Sequence, residues 1–522
     1  MPTIECLTTF QSLMLENLKQ RHVQKRESMV VLPGRVLFLS DDAELIRRQL
    51  AGGDLSLSEA ESLRDNISTD EITPAYICYY YDETLGDFPY LGLKAGDEFP
   101  IERGSVRAGG FVCSVSGKRR GKGSSREQSP YAEMCAGIKL VIAESIERIY
   151  RENCQNLGVL ASTNFGLIDK VRSGEPIPLT EFTAGEGEIT RGIIEYGGLF
   201  HYNLARLQGT VSIPQPNTAP RPMTIGEKIL ARHWVTNLAR DDVGVSHLQP
   251  GDEGFVRTDI RFSHEYVTPM AAIFWQDLVG DESVVDPDSI FFFRDHLTFL
   301  ELAMTDERKA QGLLDVALEL KKKQEEFAQQ QHIRLYGELP RIARNAPLRG
   351  SEAICHSKIL EQHALPGHLI IGSDSHTPHA GAIGSIAFGV GTTAIFNSWL
   401  TKDVRIKVPP SVLIRVTGDK PKDVTAKDFM LQILRQPYVR DGHAIGKIVE
   451  YAGDAVQQLS VDERATMTNM AAEVGAFTGI IRPDEKVVEF LARERGMQPD
   501  EVKAMLHGLY SDERAVYEKV IE

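Results

Sequence analysis

Short apolar runs that break abruptly into polar, reactive side chains recur along this chain. The clearest is Leu369-Ile-Ile-Gly-Ser-Asp-Ser-His-Thr-Pro-His379, which runs on into a glycine-rich tail through Gly391. It is long enough for a strand buried on both faces, and it ends in an acid, a hydroxyl and an imidazole. Ser289-Ile-Phe-Phe-Phe-Arg-Asp-His296 repeats the arrangement. Apolar runs of roughly four to eight residues bounded by turn residues predict fully buried strands, and in open α/β sheets ligands bind beyond the strand ends. Two strand ends carrying acid–imidazole pairs therefore predict one shared catalytic cleft.

The same pattern divides the chain. Residues 1–30 form a polar, helical extension ending in the basic Lys19-Gln-Arg-His-Val-Gln-Lys-Arg26, which reads as a solvated helix face. Over 31–213 strands alternate with helices: Gly34-Arg-Val-Leu-Phe-Leu39 opens the unit, and a helix over Tyr131–Arg151 precedes a strand at Leu157-Gly-Val-Leu-Ala161. Pro214-Gln-Pro-Asn-Thr-Ala-Pro-Arg-Pro222 lacks a periodic apolar face and reads as an extended linker at 214–222. A second α/β unit, 223–401, contains both strand-end pairs and an amphipathic helix over Glu301–Arg334. The last unit, 402–522, opens with the β-rich Val412-Leu-Ile-Arg-Val-Thr417 and closes in helices. The fold class is α/β, with several three-layer α/β domains.

Composition narrows the function classes. The 522 residues are several domains' worth. A net charge of −15 argues against a nucleic-acid partner, because phosphate binding draws on clustered Lys and Arg. No run reaches the roughly 18 apolar residues of a membrane helix, and Met1–Met29 lacks the apolar core of a signal peptide, so a cytoplasmic location with no membrane partner is expected. The six cysteines, at 6, 78, 113, 135, 154 and 355, are scattered and read as reduced thiols.

The candidate chemistry is dispersed. Gly121-Lys-Gly-Ser-Ser-Arg-Glu127 lies just before a helical stretch. Its backbone N–H groups and the hydroxyls of Ser124 and Ser125 suit a carboxylate or an oxyanion, with Arg126 as a guanidinium fork; simple helix capping is the plainer reading. His356 follows Cys355, for which nothing nearby offers the helix start or base that would activate a thiol. Glu450 ends another apolar run. Together Asp295, His296, His356, Asp374, His376 and Glu450 supply three imidazoles and three carboxylates, enough to pair each His with an acid.

These motifs, taken in order, resemble the aconitase and isopropylmalate dehydratase superfamily. The matching stretches are Gly372-Ser-Asp-Ser-His-Thr377 with its glycine tail, Asp295-His296, Ile354-Cys-His356, Ile448-Val-Glu-Tyr451 and Thr468-Asn-Met-Ala-Ala-Glu-Val-Gly-Ala476. The early region resembles the family's mobile swivel domain through Asn66-Ile-Ser-Thr-Asp70 and Gly123-Ser-Ser-Arg-Glu127. That domain here precedes the large-subunit domains 1 and 2, the reverse of the aconitase order. Domain 3, which carries three Cys ligands of a [4Fe–4S] cluster in the family, is missing, and none of the six Cys stands at a ligand position.

The resemblance implies a hydro-lyase or isomerase of a 2-hydroxy di- or tricarboxylate, of the 3-isopropylmalate dehydratase type. Its cluster would come from a second subunit or be lost by truncation. A catalytically idle or regulatory protein, or a cluster-free lyase, are the alternatives. By carry-over, Ser124 is the base, and Ser125 and Arg126 hold the carboxylate. Thr69 and Asp70 order that loop. His296, oriented by Asp295, protonates the departing hydroxyl; His356 pairs with Asp374, and His376 with Glu450. Ser375 and His264 line the substrate site, His264 at a position where isopropylmalate dehydratases carry His and aconitases Gln.

Overall fold

The computed structural model describes residues 18, 20–60, 62–123, 126–339 and 350–522. Among them the buried apolar runs become the strands of three parallel sheets. The first carries β1 (Arg35–Phe38), β2 (Phe111–Ser116), β3 (Leu140–Ala143) and β4 (Leu160–Ser162) in sequential order. The second is built from β5 (Ile260–His264), β6 (Ile290–Phe293), β7 (Arg334–Tyr336), β8 (Leu369–Gly372) and β9 (Ile386–Gly389), in the spatial order β7-β6-β5-β8-β9. The third orders β10 (Ser411–Arg415), β11 (Ile448–Ala452), β12 (Thr478–Ile481) and β13 (Lys519–Ile521) as β12-β11-β10-β13. The α/β class expected from the pattern is the class observed.

Parallel strands are covered on both faces, and this is why their sequences run apolar without alternation. In β6, Phe292 packs on Phe327 and Trp399, while Phe293 meets Phe262 and Tyr336 on the opposite face. Each buried Phe contributes roughly 2 kcal/mol from area removed from water. The second sheet matters most for function. Its chain order runs outward from β5 through β6 to β7, then returns to the other side of β5 as β8, so a crevice opens between β5 and β8 beyond their carboxyl ends.

Three expectations fail locally. The helix predicted over Tyr131–Arg151 is two helices, α1 (Gln128–Cys135) and Arg148–Leu157, separated by β3. Gly137 turns at φ +104° after α1, and the fully buried Leu-Val-Ile-Ala run then pairs between β2 and β4. The helix predicted over Glu301–Arg334 is likewise broken, into Leu300–Ala303, Asp306–Ala310 and α2 (Leu313–Gln330), with Thr305 capping one start and a left-handed Gly312 preceding another; Arg334 opens β7. Of the basic run at 19–26, Lys19 lies outside the described residues, and residues 21–26 are not helical. Lys25 pairs with Glu195 at 2.6 Å and Arg26 donates to the Gly158 carbonyl at 2.5 Å.

The region of the first sheet is docked on that of the second through buried polar contacts. Arg206 pairs with Asp403 at 2.7 Å, with both side chains almost wholly buried, and Asn203 donates to Asn397 at 2.9 Å. Arg405 reaches Glu152 at 2.6 Å. Residues 214–222 run between the two regions without helix or strand. Asp403–Lys407 pairs antiparallel with Glu253–Arg257.

Candidate active site

Three strand ends of the second sheet meet at the crevice. His264 closes β5, Asp295 and His296 follow β6, and Asp374, Ser375 and His376 follow β8. The backbone returning through β9 passes so close that a Cβ on Gly389 would stand 2.5 Å from the Asp374 carbonyl oxygen. That close approach is the physical need behind the glycine tail.

Asp374 is the hub. Its Oδ1 lies 3.0 Å from His356 Nε2 and accepts from the His376 backbone N–H at 2.8 Å. Its Oδ2 stands 3.5 Å from His296 Nε2. His356 belongs to α3 (Cys355–Gln362), which lies across the face of the sheet that carries Phe262 and Phe293. His376 reaches Glu473 Oε1 with Nε2 at 3.2 Å, and Ser375 Oγ is 3.1 Å from His376 Nδ1. The His264 and His296 rings are 4.4 Å apart between centroids, and His264 Nε2 lies 3.2 Å from the Ser373 carbonyl.

Two expected pairings are overturned, and the expected absence of a helix start beside Cys355 is corrected. Asp295 does not orient His296; it accepts from the Cys355 thiol at 2.9 Å, because its side chain turns toward α3. His296 instead lies between Glu265, 4.0 Å from its Nδ1, and Asp374. Glu450 does not meet His376. It sits on β11 of the third sheet and accepts from Ser511 at 2.7 Å and Tyr517 at 2.8 Å, a closed polar cluster. Glu473, on the short helix Ala471–Val474, takes the place expected of Glu450. Cys355 does open a helix, but the neighbouring carboxylate keeps its thiol inactive: burial first, then Asp295, pushes it far above the ordinary thiol range.

Sequence reasoning missed three residues. Glu473 lay inside the Thr468–Ala476 element, which could have identified it. That element is held along the 377–383 turn by the Thr468 hydroxyl, donating to the His379 carbonyl at 2.9 Å, and by Asn469, 3.3 Å from His379 Nδ1. Glu265 is fully buried; its carboxylate accepts from the backbone N–H groups of Asp295 and Leu297, which shapes the turn carrying His296. A charged residue just after a buried strand was its only signal. His379 is the third.

The front loop approaches from the other side. Ser124 and Ser125 lie outside the described residues. Around them, the Thr69 N–H donates to the Lys122 carbonyl at 2.9 Å, Ser129 Oγ donates to the Thr69 carbonyl at 3.0 Å, and Arg126 pairs with Asp70. The two early signature stretches thus fold against each other. Glu127 is buried and accepts from the Thr393 N–H at 2.7 Å and from the Thr393 hydroxyl, at the start of α4 (Thr392–Thr401). Burial raises the Glu127 carboxyl to about 8 against the hydrogen bonds that this helix end donates to it. Gln128 Nε2 donates to the Tyr266 carbonyl at 3.1 Å, two residues past His264.

The environment splits the imidazoles. Asp374 is held far below the usual carboxylate range, the cost of burial being outweighed by the hydrogen bonds from His356 and His376. His376 is raised to about 9 by Asp374 and, against partial burial, by Glu473, so it is a cation at neutral pH. Burial depresses His264 and His379 to about 3 each, leaving both neutral. Sites that separate titratable groups in this way can assign distinct acid, base and anion-binding roles.

An iron–sulfur cluster would need converging thiolates. Among the described residues no three cysteines share a site, and the thiols are buried one by one. Burial pushes Cys78 and Cys135 up to about 11 and Cys113 to about 12, the opposite of what a ligand thiolate requires. The described residues do not fit a cluster; Cys6 lies outside them.

A family model described as the aconitase family (aconitate hydratase) matches residues 227–522, and one described as the aconitase C-terminal domain matches residues 105–163. The 3-isopropylmalate dehydratase large subunit 1 of Pyrococcus furiosus is 35% identical over 301 residues, 58% of this chain and 61% of that protein. The chloroplastic large subunit of Arabidopsis thaliana is 29% identical over 298 residues, 55% of this chain and 54% of that one. A crystal structure of a 3-isopropylmalate dehydratase from Methanocaldococcus jannaschii shares 26% identity over 27% of this chain and 89% of its own, with a TM-score of 0.20. The match to the Pyrococcus furiosus protein thus spans 61% of that relative's length.

Proposed function

The chain belongs to the aconitase family, and on that premise we propose that it is a hydro-lyase or isomerase that removes and re-adds water on a 2-hydroxy di- or tricarboxylate of the 3-isopropylmalate type. The observation that carries this reading is Asp374 drawing His296, His356 and His376 to one crevice, with His376 cationic and His264 neutral, both within the reach of the Asp374 charge. A cationic and a neutral imidazole around one carboxylate supply an anion-binding and an acid–base group to the same crevice.

In this scheme Arg126 and Ser125 hold a substrate carboxylate, with Arg126 steadied by Asp70 and by the Thr73 carbonyl at 3.0 Å. Ser124 takes the proton from the carbon beside that carboxylate, and His296 returns one to the departing hydroxyl. His376 and Ser375 face the second carboxylate, while His356 is fixed by Asp374. The swivel role of 31–213, the linker role of 214–222 and the two further domains 223–401 and 402–522 belong to this same proposal. The described thiols do not fit a cluster. The Lewis acid of the family would reside on another chain or outside the described residues. The misfit also keeps a cluster-free lyase as the second reading.

The test is to isolate the full chain alone and together with any protein that co-purifies with it, and to assay hydration of 2-isopropylmaleate and cis-aconitate in each sample. Hydration by the iron-containing complex, abolished by Ser124→Ala with substrate affinity retained, supports the first reading. Hydration by the iron-free chain supports the second. Absence of hydration in every sample overturns both.

A further inference from the structure

The turn that follows β6 has a second face. The alternation that sends Phe292 and Phe293 to opposite sides of the sheet continues past the strand: Asp295 points to Cys355 on α3, and Arg294 points the other way, toward α2. On that side lies a cavity of about 170 Å³, walled by Leu297, Phe299, Leu300 and Leu318, with none of the crevice histidines in its lining.

Arg294 borders this cavity and is 4% exposed; its Nε and Nη1 are sealed within the protein and find no acceptor among the described residues, which leaves Nη2 as the edge that can face the cavity. The carboxylates around it are engaged or distant. Glu265 accepts from the N–H groups of Asp295 and Leu297; Glu338 accepts from the Phe299 N–H at 2.8 Å and pairs with Lys321 at 3.1 Å; Glu301 and Glu325 act on it only as charges. A buried guanidinium with no ion partner is costly unless an anion meets it, and Nη2 can donate to one carboxylate oxygen.

We propose that this cavity binds a compact aliphatic monocarboxylate, with the carboxylate on Arg294 and the hydrocarbon tail among the leucines. The volume slightly exceeds that of an engineered apolar cavity of roughly 150 Å³ that accepts benzene, which sets the ligand at roughly six to eight heavy atoms. Di- and tricarboxylates do not suit it. Among the described residues the other cation lining the cavity is Lys321, which is already held by Glu338, so a second carboxylate would face Glu338 and Glu301. The site therefore takes a different ligand class from the crevice and does not depend on the dehydratase reading.

Isothermal titration of the full-length protein with 3-methylbutanoate is the test, with 3-methylbutan-1-ol and succinate as controls. Saturable one-to-one binding is expected, at least tenfold weaker for the alcohol and for succinate. Leu318→Trp, which fills the cavity from α2, should weaken it at least tenfold while leaving the circular dichroism spectrum unchanged; Arg294→Gln should do the same where it folds. No saturable binding to the wild type overturns the proposal. So does affinity unchanged in Leu318→Trp, or an alcohol that binds as tightly as the acid.

Discussion

Replacing Asp374 by Asn removes one negative charge from the point where His356, His376 and His296 converge. The His376 imidazole should report that loss directly. Its pKa stands raised from 6.5 to about 9, with the hydrogen bond to Asp374 as the largest cause. Taken whole, that rise corresponds to about 3 kcal/mol of preference for the cationic form. The side chain is 36% exposed, so solvent screening reduces the figure to about 1–2 kcal/mol. Glu473 remains on the other ring nitrogen, so the Asn variant should lower the His376 pKa by about one unit and not return it to 6.5. The stability consequence follows from the sign. Because the folded-state value lies above the free one, this stabilisation is complete below pH 6.5 and is lost as pH rises through about 9. The Asn variant should lose stability relative to wild type near neutral pH and show a flatter decline across that window. Nuclear magnetic resonance titration of ¹³C-labelled histidines, with His376→Gln to assign the resonance, reads the pKa without any catalytic assay. His376 titrating at its wild-type pH in the Asn variant would refute the hub.

The same titration separates the two candidate acids: Glu473→Gln should lower the His376 pKa, whereas Glu450→Gln should leave it unmoved and act only on the Ser511–Tyr517 cluster. Glu127→Ala leaves the Thr393 N–H and hydroxyl without their acceptor and should cost about 2–4 kcal/mol. Urea unfolding would measure that loss, and hydrogen exchange should quicken at Thr392–Thr401; unchanged exchange would show that the contact contributes nothing to docking. The Cys355 thiol should resist iodoacetamide in the native protein, and Asp295→Asn should speed its alkylation by lowering the thiol pKa; equal rates would remove Asp295 as the cause.

How much was legible in advance varies with the range of the interaction. The strands β6 and β8 and the chemistry at their ends were readable because a strand buried on both faces needs an uninterrupted apolar run, and the polar residue that stops it lies at the sheet edge. The pairing of His356 with Asp374 was expected from resemblance, and the 3.0 Å contact stands in the structure. The helix over Tyr131–Arg151 failed because periodicity cannot tell a short buried strand such as Leu140–Ala143 from a helical turn. Glu450 and Glu473 could not be ranked as partners of His376, since both follow glycine- or alanine-rich apolar stretches and nothing local says which sheet carries which.

The amino-acid order alone determined the α/β class, the strand ends and the supply of acids and imidazoles, because burial and turn chemistry act over a few neighbouring residues. Only the tertiary structure decided which acid faces which imidazole. It also decided that Asp295 meets a thiol and that Arg294 is left beside a cavity without an acceptor. Side-chain partners across hundreds of residues depend on how sheets dock and which way each strand end turns, and that is a property of packing.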